Sequence, residues 1–167
     1  RAGLAGVHAA LTGSTFGAGD ALLLGLADEC DGEAPAATLD AADWLYCYAE
    51  PDAASIVAAL EAHPDPQARA AASDLRLRSP LAVCVTLEAI WRAAGMGGVA
   101  DVLEQDYVLA ATMVPTPEFA EGVRAQVIDK DRTPRWRHAR IEDVTRDEVL
   151  ACFEPPAGLV PLDLPNP

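Results

Sequence analysis

The sequence predicts a mainly α fold with at most one or two short strands near the N-terminus, and three observations carry that reading. Apolar residues recur at spacings of three and four along most of the chain, the signature of a single buried helix face. Residues that start helices precede those runs: Asp52, Ser79 followed by Pro80, Thr116 followed by Pro117, and Thr145 three positions before Glu148. The connections between runs are short and rich in Gly, Pro and Asp.

Taken in order, Leu4, Val7 and Leu11 define a first helix over 4–11, which Gly13 can close. Residues 20–26 read as a second helix stopping at Gly25, followed by a short strand over 26–30 and a Gly/Pro/acid linker over 31–37. Residues 40–48 and 52–62 form two more helices, the latter capped by Asp52 and carrying Ile56, Val57 and Leu60 on one side. The alanine-rich 68–72 stretch favours helix while burying little area, so a seam of close contacts is expected there. Ser79 and Pro80 start a helix lined by Val83, Leu87, Ile90 and Ala94, and Gly95 to Gly98 reverse the chain. Val99, Leu103, Tyr107, Ala110 and Val114 supply the inward face of the next helix, which Pro115 ends. Thr116 and Pro117 begin a helix running towards Val127, and Thr145 with Glu148 forms a capping box for a last short one. Trp44, Trp91 and Trp136 are expected as core or interface anchors.

At 167 residues the chain has the length of one domain, or one lobe of a larger one, and a domain of about 150 residues buries about 70% of its unfolded surface. Its 51% hydrophobic content excludes wholesale disorder, and the short, interrupted apolar runs indicate neither a transmembrane helix nor a signal peptide, so a soluble cytoplasmic protein is expected. A net charge of -14 argues against nucleic acid as a partner. Cys30, Cys47, Cys84 and Cys152 are separated by 17, 37 and 68 residues with no C-x-x-C spacing, which reads as reduced packing residues and no metal site. His8, His63 and His138 are scattered, with surface or helix-end roles expected. The chain carries no G-x-S-x-G elbow, H-E-x-x-H pair or glycine-rich phosphate loop, so no self-contained catalytic constellation is read from it.

One segment departs from the acidic character. Between Lys130 and Arg140, five bases stand against the single acid Asp131, a window of +4 that leaves -18 for the remaining residues. Two readings are open: the bases pair with the chain's own carboxylates, or they form a docking point for a phosphorylated small ligand.

The block PEFAEGVRAQVIDKDRTPRW, 117–136, resembles the C-terminal signature of the 3-hydroxyisobutyryl-CoA hydrolase family, a branch of the enoyl-CoA hydratase/isomerase (crotonase) superfamily. The likeness rests on Phe119, Glu121 to Ala125, Ile128 to Asp131, Pro134 and Trp136, and extends upstream to LTGSTFGAGDALLLGLA at 11–27. It departs from the family pattern at Thr15, at Asp28 and Glu29, and at Val108, each change removing a positive or polar group. The resemblance implies the helical C-terminal part of a crotonase-like α/β spiral fold, with residues 1–34 as the tail end of the catalytic core and 35–167 as a helical region. It implies an acyl-CoA substrate, with coenzyme A as part of that substrate and no covalently bound cofactor. The oxyanion hole and acidic groups of such enzymes lie before the Thr-Gly segment, so no catalytic residue is assigned here.

The resemblance implies that Lys130, the only lysine of the chain, contacts the adenosine end of coenzyme A, with Glu121 and Arg124 as structural residues in local helix and interdomain ion pairs. The resemblance implies hydrolysis of 3-hydroxyisobutyryl-CoA or a similar short acyl-CoA. Hydration or isomerisation of an enoyl-CoA and a non-catalytic helical assembly module stand as alternatives. Helices without their core would leave apolar surface exposed, which implies a homo-oligomer or association with an upstream catalytic half, and no membrane partner.

Overall fold

The computed structural model describes residues 2–39 and 42–165, which form two compact units divided between Arg78 and Ser79. Among the described residues the regular elements are helical, and no strand is present.

In the first unit, α1 (Gly3–Thr12) ends at Gly13, whose φ of 61° sets the left-handed cap. After α2 (Ala18–Leu23), the expected strand over 26–30 does not form. The reason is local: the N–H groups of Leu26 and Ala27 both donate to the Ala21 carbonyl, at 2.9 and 3.2 Å, so this stretch wraps the end of α2. The expected 40–48 helix is instead a 3₁₀ helix, Asp43–Ala49, with Asp40 and Ala41 lying outside the described residues.

Asp52 caps α3 (Ala53–Ala62) by accepting from the Ser55 N–H at 2.7 Å, and Asp65 caps α4 (Pro66–Leu77) through Gln67 in the same way. These two helices pack on each other through fully buried Ile56, Val57, Leu60 and Leu75. Each such aliphatic side chain contributes about 1.5–3 kcal/mol by leaving water. Ala68, Ala71 and Ala72 are buried too and form the expected seam of small side chains on α4.

His8 corrects the expectation of a surface role. It is 7% exposed, and its Nδ1 lies 2.7 Å from the Tyr48 hydroxyl with the Trp44 ring edge-on at 5.1 Å. Burial lowers the pKa of His8, partly offset by Asp74, and burial raises that of Tyr48. A neutral imidazole therefore faces a protonated phenol, and the histidine tautomer sets which of the two donates.

Asp20 organises the linker. Its carboxylate accepts from the Thr38 N–H, the Thr38 hydroxyl and the Leu39 N–H at 2.6, 2.7 and 3.0 Å. Gly19 beside it has no room for a side chain, since a Cβ would collide with the Pro35 carbonyl oxygen.

In the second unit, Ser79 caps α5 (Pro80–Ala94), accepting from the Ala82 N–H at 3.2 Å. The core gathers Val83, Val85 and Leu87 with Ile141 and Val149 of the later elements. Glu88 is buried on α5 and accepts from Arg92 at 2.7 Å and from Arg146 at 2.6 Å, while the Arg92 guanidinium sits 3.9 Å over the Phe153 ring. Arg146 opens α8 (Arg146–Ala151), which carries the expected capping box.

The inward face expected for α6 (Val99–Met113) does not hold: Val99, Leu103 and the adjoining Val114 are 68%, 46% and 50% exposed, and Gln105 is the helix's buried residue. The periodicity is real, but the stripe finds no cover within this unit. Trp91 is exposed in the same way, whereas Trp44 is buried.

Candidate functional site

The basic window is built on the end of α7 (Pro117–Val123), which Thr116 caps by accepting from the Phe119 N–H. The helix does not stop at Val123. It widens into a π turn, Arg124–Ile128, closed by the Asp129 N–H donating to the Arg124 carbonyl at 2.8 Å. Such turns are local departures that often accompany functional sites.

Arg124 is the hub of the segment. Its Nε and Nη2 donate to both oxygens of Glu121, at 2.9 and 2.8 Å. Its Nη1 donates to Asp129 at 2.6 Å and to Asp131 at 2.7 Å, and Nη2 also reaches the Thr133 carbonyl at 3.3 Å. Glu121 additionally accepts from the Arg135 N–H at 2.8 Å, and Asp131 from the Thr133 N–H at 2.9 Å. These bonds, Arg124 first, hold the carboxyls of Glu121 and Asp131 down at about 2. Of the local and interdomain ion pairs expected of Glu121 and Arg124, the local ones are observed.

Gathering positions 121, 129, 131 and 133 on one guanidinium forces the intervening backbone to curl. Lys130 and Arg132 take positive φ, 56° and 55°, and the Arg132 N–H donates to the carbonyl of buried Ala125 at 3.1 Å. A left-handed residue other than glycine costs about 1–2 kcal/mol, and persists where surrounding bonds over-determine it.

The two readings of the basic window therefore divide by residue. Arg137 pairs with Glu148 at 2.9 Å, Arg140 with Asp143 at 3.0 Å, and the charge of Arg135 acts on Glu121. Lys130 and Arg132 are exposed, and their charged groups meet no carboxylate among the described residues, although Asp129 and Asp131 are their chain neighbours. Those two acids are engaged by Arg124 instead. Arg132 is the residue that sequence reasoning left undistinguished; its signal was the alternation of acid and base in Asp129-Lys130-Asp131-Arg132.

The same block lines an apolar groove of about 370 Å³ bounded by Met113, Phe119, Val123, Val127 and Trp136. Trp136 lies close over Gly122, where a Cβ would stand 3.3 Å from the ring. Two polar groups also line the groove: the Ser79 hydroxyl donates to Glu118, whose other oxygen accepts from the Arg137 N–H at 3.4 Å. Among the described residues no three His, Cys, Asp or Glu side chains are gathered as metal ligands, and no helix is long and apolar enough to cross a membrane.

A sequence profile described as Enoyl-CoA hydratase/isomerase matches residues 31–153. The chain belongs to that family. A 77-residue stretch is 39% identical to the mitochondrial 3-hydroxyisobutyryl-CoA hydrolase of Gallus gallus, covering 46% of this chain and 20% of the relative. Another, of 84 residues, is 34% identical to small ribosomal subunit protein mS47 of Arabidopsis thaliana, covering 48% and 20%. Among solved structures, a carnitinyl-CoA dehydratase from Mycobacterium thermoresistibile superposes with a TM-score of 0.84 at 34% identity, over 92% of this chain and 52% of that one. The match thus spans about a fifth of those curated relatives and about half of the solved structure. The helical, crotonase-like fold class stands.

The expected cytoplasmic location does not stand: the hydrolases of Gallus gallus, Dictyostelium discoideum and Xenopus laevis are mitochondrial by name. Composition and hydropathy report how a chain meets water, and neither encodes a compartment.

Proposed function

We propose that this chain is the helical, coenzyme A-gripping part of an acyl-CoA thioester enzyme, a hydrolase acting on 3-hydroxyisobutyryl-CoA or a similar short acyl-CoA. The observation that carries the reading is the pair of cations without carboxylate partners, Lys130 and Arg132, on a tightly bonded turn whose flanking residues Val127 and Trp136 line an apolar groove, in one block of family sequence. Lys130 meets the ribose phosphate of coenzyme A as a point charge, and the groove lined by Val127 and Trp136 accepts an apolar portion of the ligand. Residues 1–34 close the catalytic core and 35–167 form the helical region. The chemistry proper, a polarised thioester carbonyl and a carboxylate that promotes attack by water, belongs to the core preceding the Thr-Gly segment. The uncovered stripe of α6 is then the surface met by that core or by a second copy.

Thiol release from a panel of short acyl-CoAs, with and without Lys130→Ala, tests this. Release from 3-hydroxyisobutyryl-CoA with a KM raised about tenfold in the variant supports it. Loss of enoyl absorbance from crotonyl-CoA without thiol release points to the hydratase alternative, a reading favoured by the likeness to a carnitinyl-CoA dehydratase. No turnover, together with co-migration in a larger particle, points to the assembly alternative suggested by mS47.

A further inference from the structure

We propose that Arg124 is a positioning residue, presetting Lys130 and Arg132 as a two-cation clamp for a terminal phosphate; this rests on the coenzyme A reading and assigns its 3′-phosphate as the group held. Arg124 does two things that a nearby positive charge alone would not. It fixes the curled backbone, because the groups it binds at 121, 129, 131 and 133 bracket both left-handed residues. It also keeps Asp129 and Asp131 occupied, and these are the acids best placed along the chain to neutralise the two clamp cations.

The arrangement carries a net charge of only +1: Glu121, Asp129 and Asp131 stand against Arg124, Lys130, Arg132 and Arg135, whose charge already acts on Glu121. So small an excess leaves the sorting of the charges as the main source of an anion site, with acids drawn to the hub and bases left facing water. A phosphate meeting the turn finds two donors already separated from their counter-ions, so less ordering and less desolvation accompany binding. Lysine at 124 would keep the charge but lacks the planar fork that serves several acceptors at once.

The test compares the affinity of the full-length protein for coenzyme A with that for dephospho-coenzyme A, which lacks the 3′-phosphate, by calorimetric titration. In the wild type coenzyme A is preferred, and Lys130→Ala and Arg132→Ala each reduce the preference about tenfold. Positioning predicts that Arg124→Lys and the double variant Asp129→Asn/Asp131→Asn also reduce it. The double variant decides between causes, because removing two negative charges beside the clamp raises phosphate affinity if only net charge matters. It also stands as the second route should Arg124→Lys fail to fold. An unchanged or increased preference in the Arg124 and double variants, with the Lys130 and Arg132 effects intact, overturns the positioning role and leaves the coenzyme A reading standing. Equal binding of the two ligands by the wild type removes both.

Discussion

Replacing Asp20 by alanine should unfasten the linker of the first unit, and its cost can be worked bond by bond. The carboxylate holds the Thr38 N–H, the Thr38 hydroxyl and the Leu39 N–H. Thr38 is exposed, so water takes over its two groups, whereas Leu39 is 8% exposed and its N–H is left without an acceptor. An orphaned buried donor costs about 1–3 kcal/mol and each charge-assisted bond exchanged for water about 1 kcal/mol, giving about 3–5 kcal/mol for Asp20→Ala. Asp20→Asn keeps one accepting oxygen and should cost about 1 kcal/mol.

The assay is urea unfolding followed by Trp44 emission in a Trp91→Phe/Trp136→Phe background, so that only the first unit reports. The pH dependence has a definite sign. Burial pushes the Asp20 carboxyl up, but the bonds from Thr38 and Leu39 outweigh it and leave the folded pKa below the ordinary value. Its contribution is therefore complete above about pH 4 and is lost as pH falls through the lower folded value. A cost below about 1 kcal/mol for Asp20→Ala, or a difference from wild type that survives undiminished to about pH 2, would refute the reasoning.

Three further outcomes are expected. Leu60→Ala, at a fully buried position between α3 and α4, should cost about 2–5 kcal/mol in the same unfolding assay. Because His8 is held neutral by burial, the unfolded chain binds a proton that the folded one resists; stability should fall as pH drops below about 6.5, and melting of His8→Gln against pH should lack that step. Glu88→Ala should destabilise the second unit by about 1–3 kcal/mol by freeing Arg146 at the start of α8, and a double-mutant cycle with Arg146→Ala should return a coupling above zero.

Features fixed by neighbours in sequence were legible. Ser79 before Pro80 and Thr145 before Glu148 mark helix starts because a cap is a contact across three residues, and both are in place. The 117–136 block was legible as a family segment because many of its bonds run between its own residues. Features that depend on what lies opposite were not. Val99, Leu103 and Val114 announce a helix face but cannot announce its cover, and the 26–30 stretch says nothing about the absence of a ladder partner. His8 looked like one residue of an alanine-rich helix because Tyr48, the group that receives it, is 40 positions away. The difference between Arg132 and Arg137 was hidden for the same reason, since composition counts charges and only geometry pairs them.

The bare stripe of α6 sits on a chain of net charge -14, and the two act in opposite senses. Like-charged molecules hold one another off in dilute buffer. Added salt shortens the reach of that repulsion to about 10 Å at 0.1 M while leaving the attraction between apolar faces intact. This polypeptide should therefore become more adhesive as ionic strength rises, the reverse of an interface fastened by ion pairs. Light scattering across a salt series reads that sign directly.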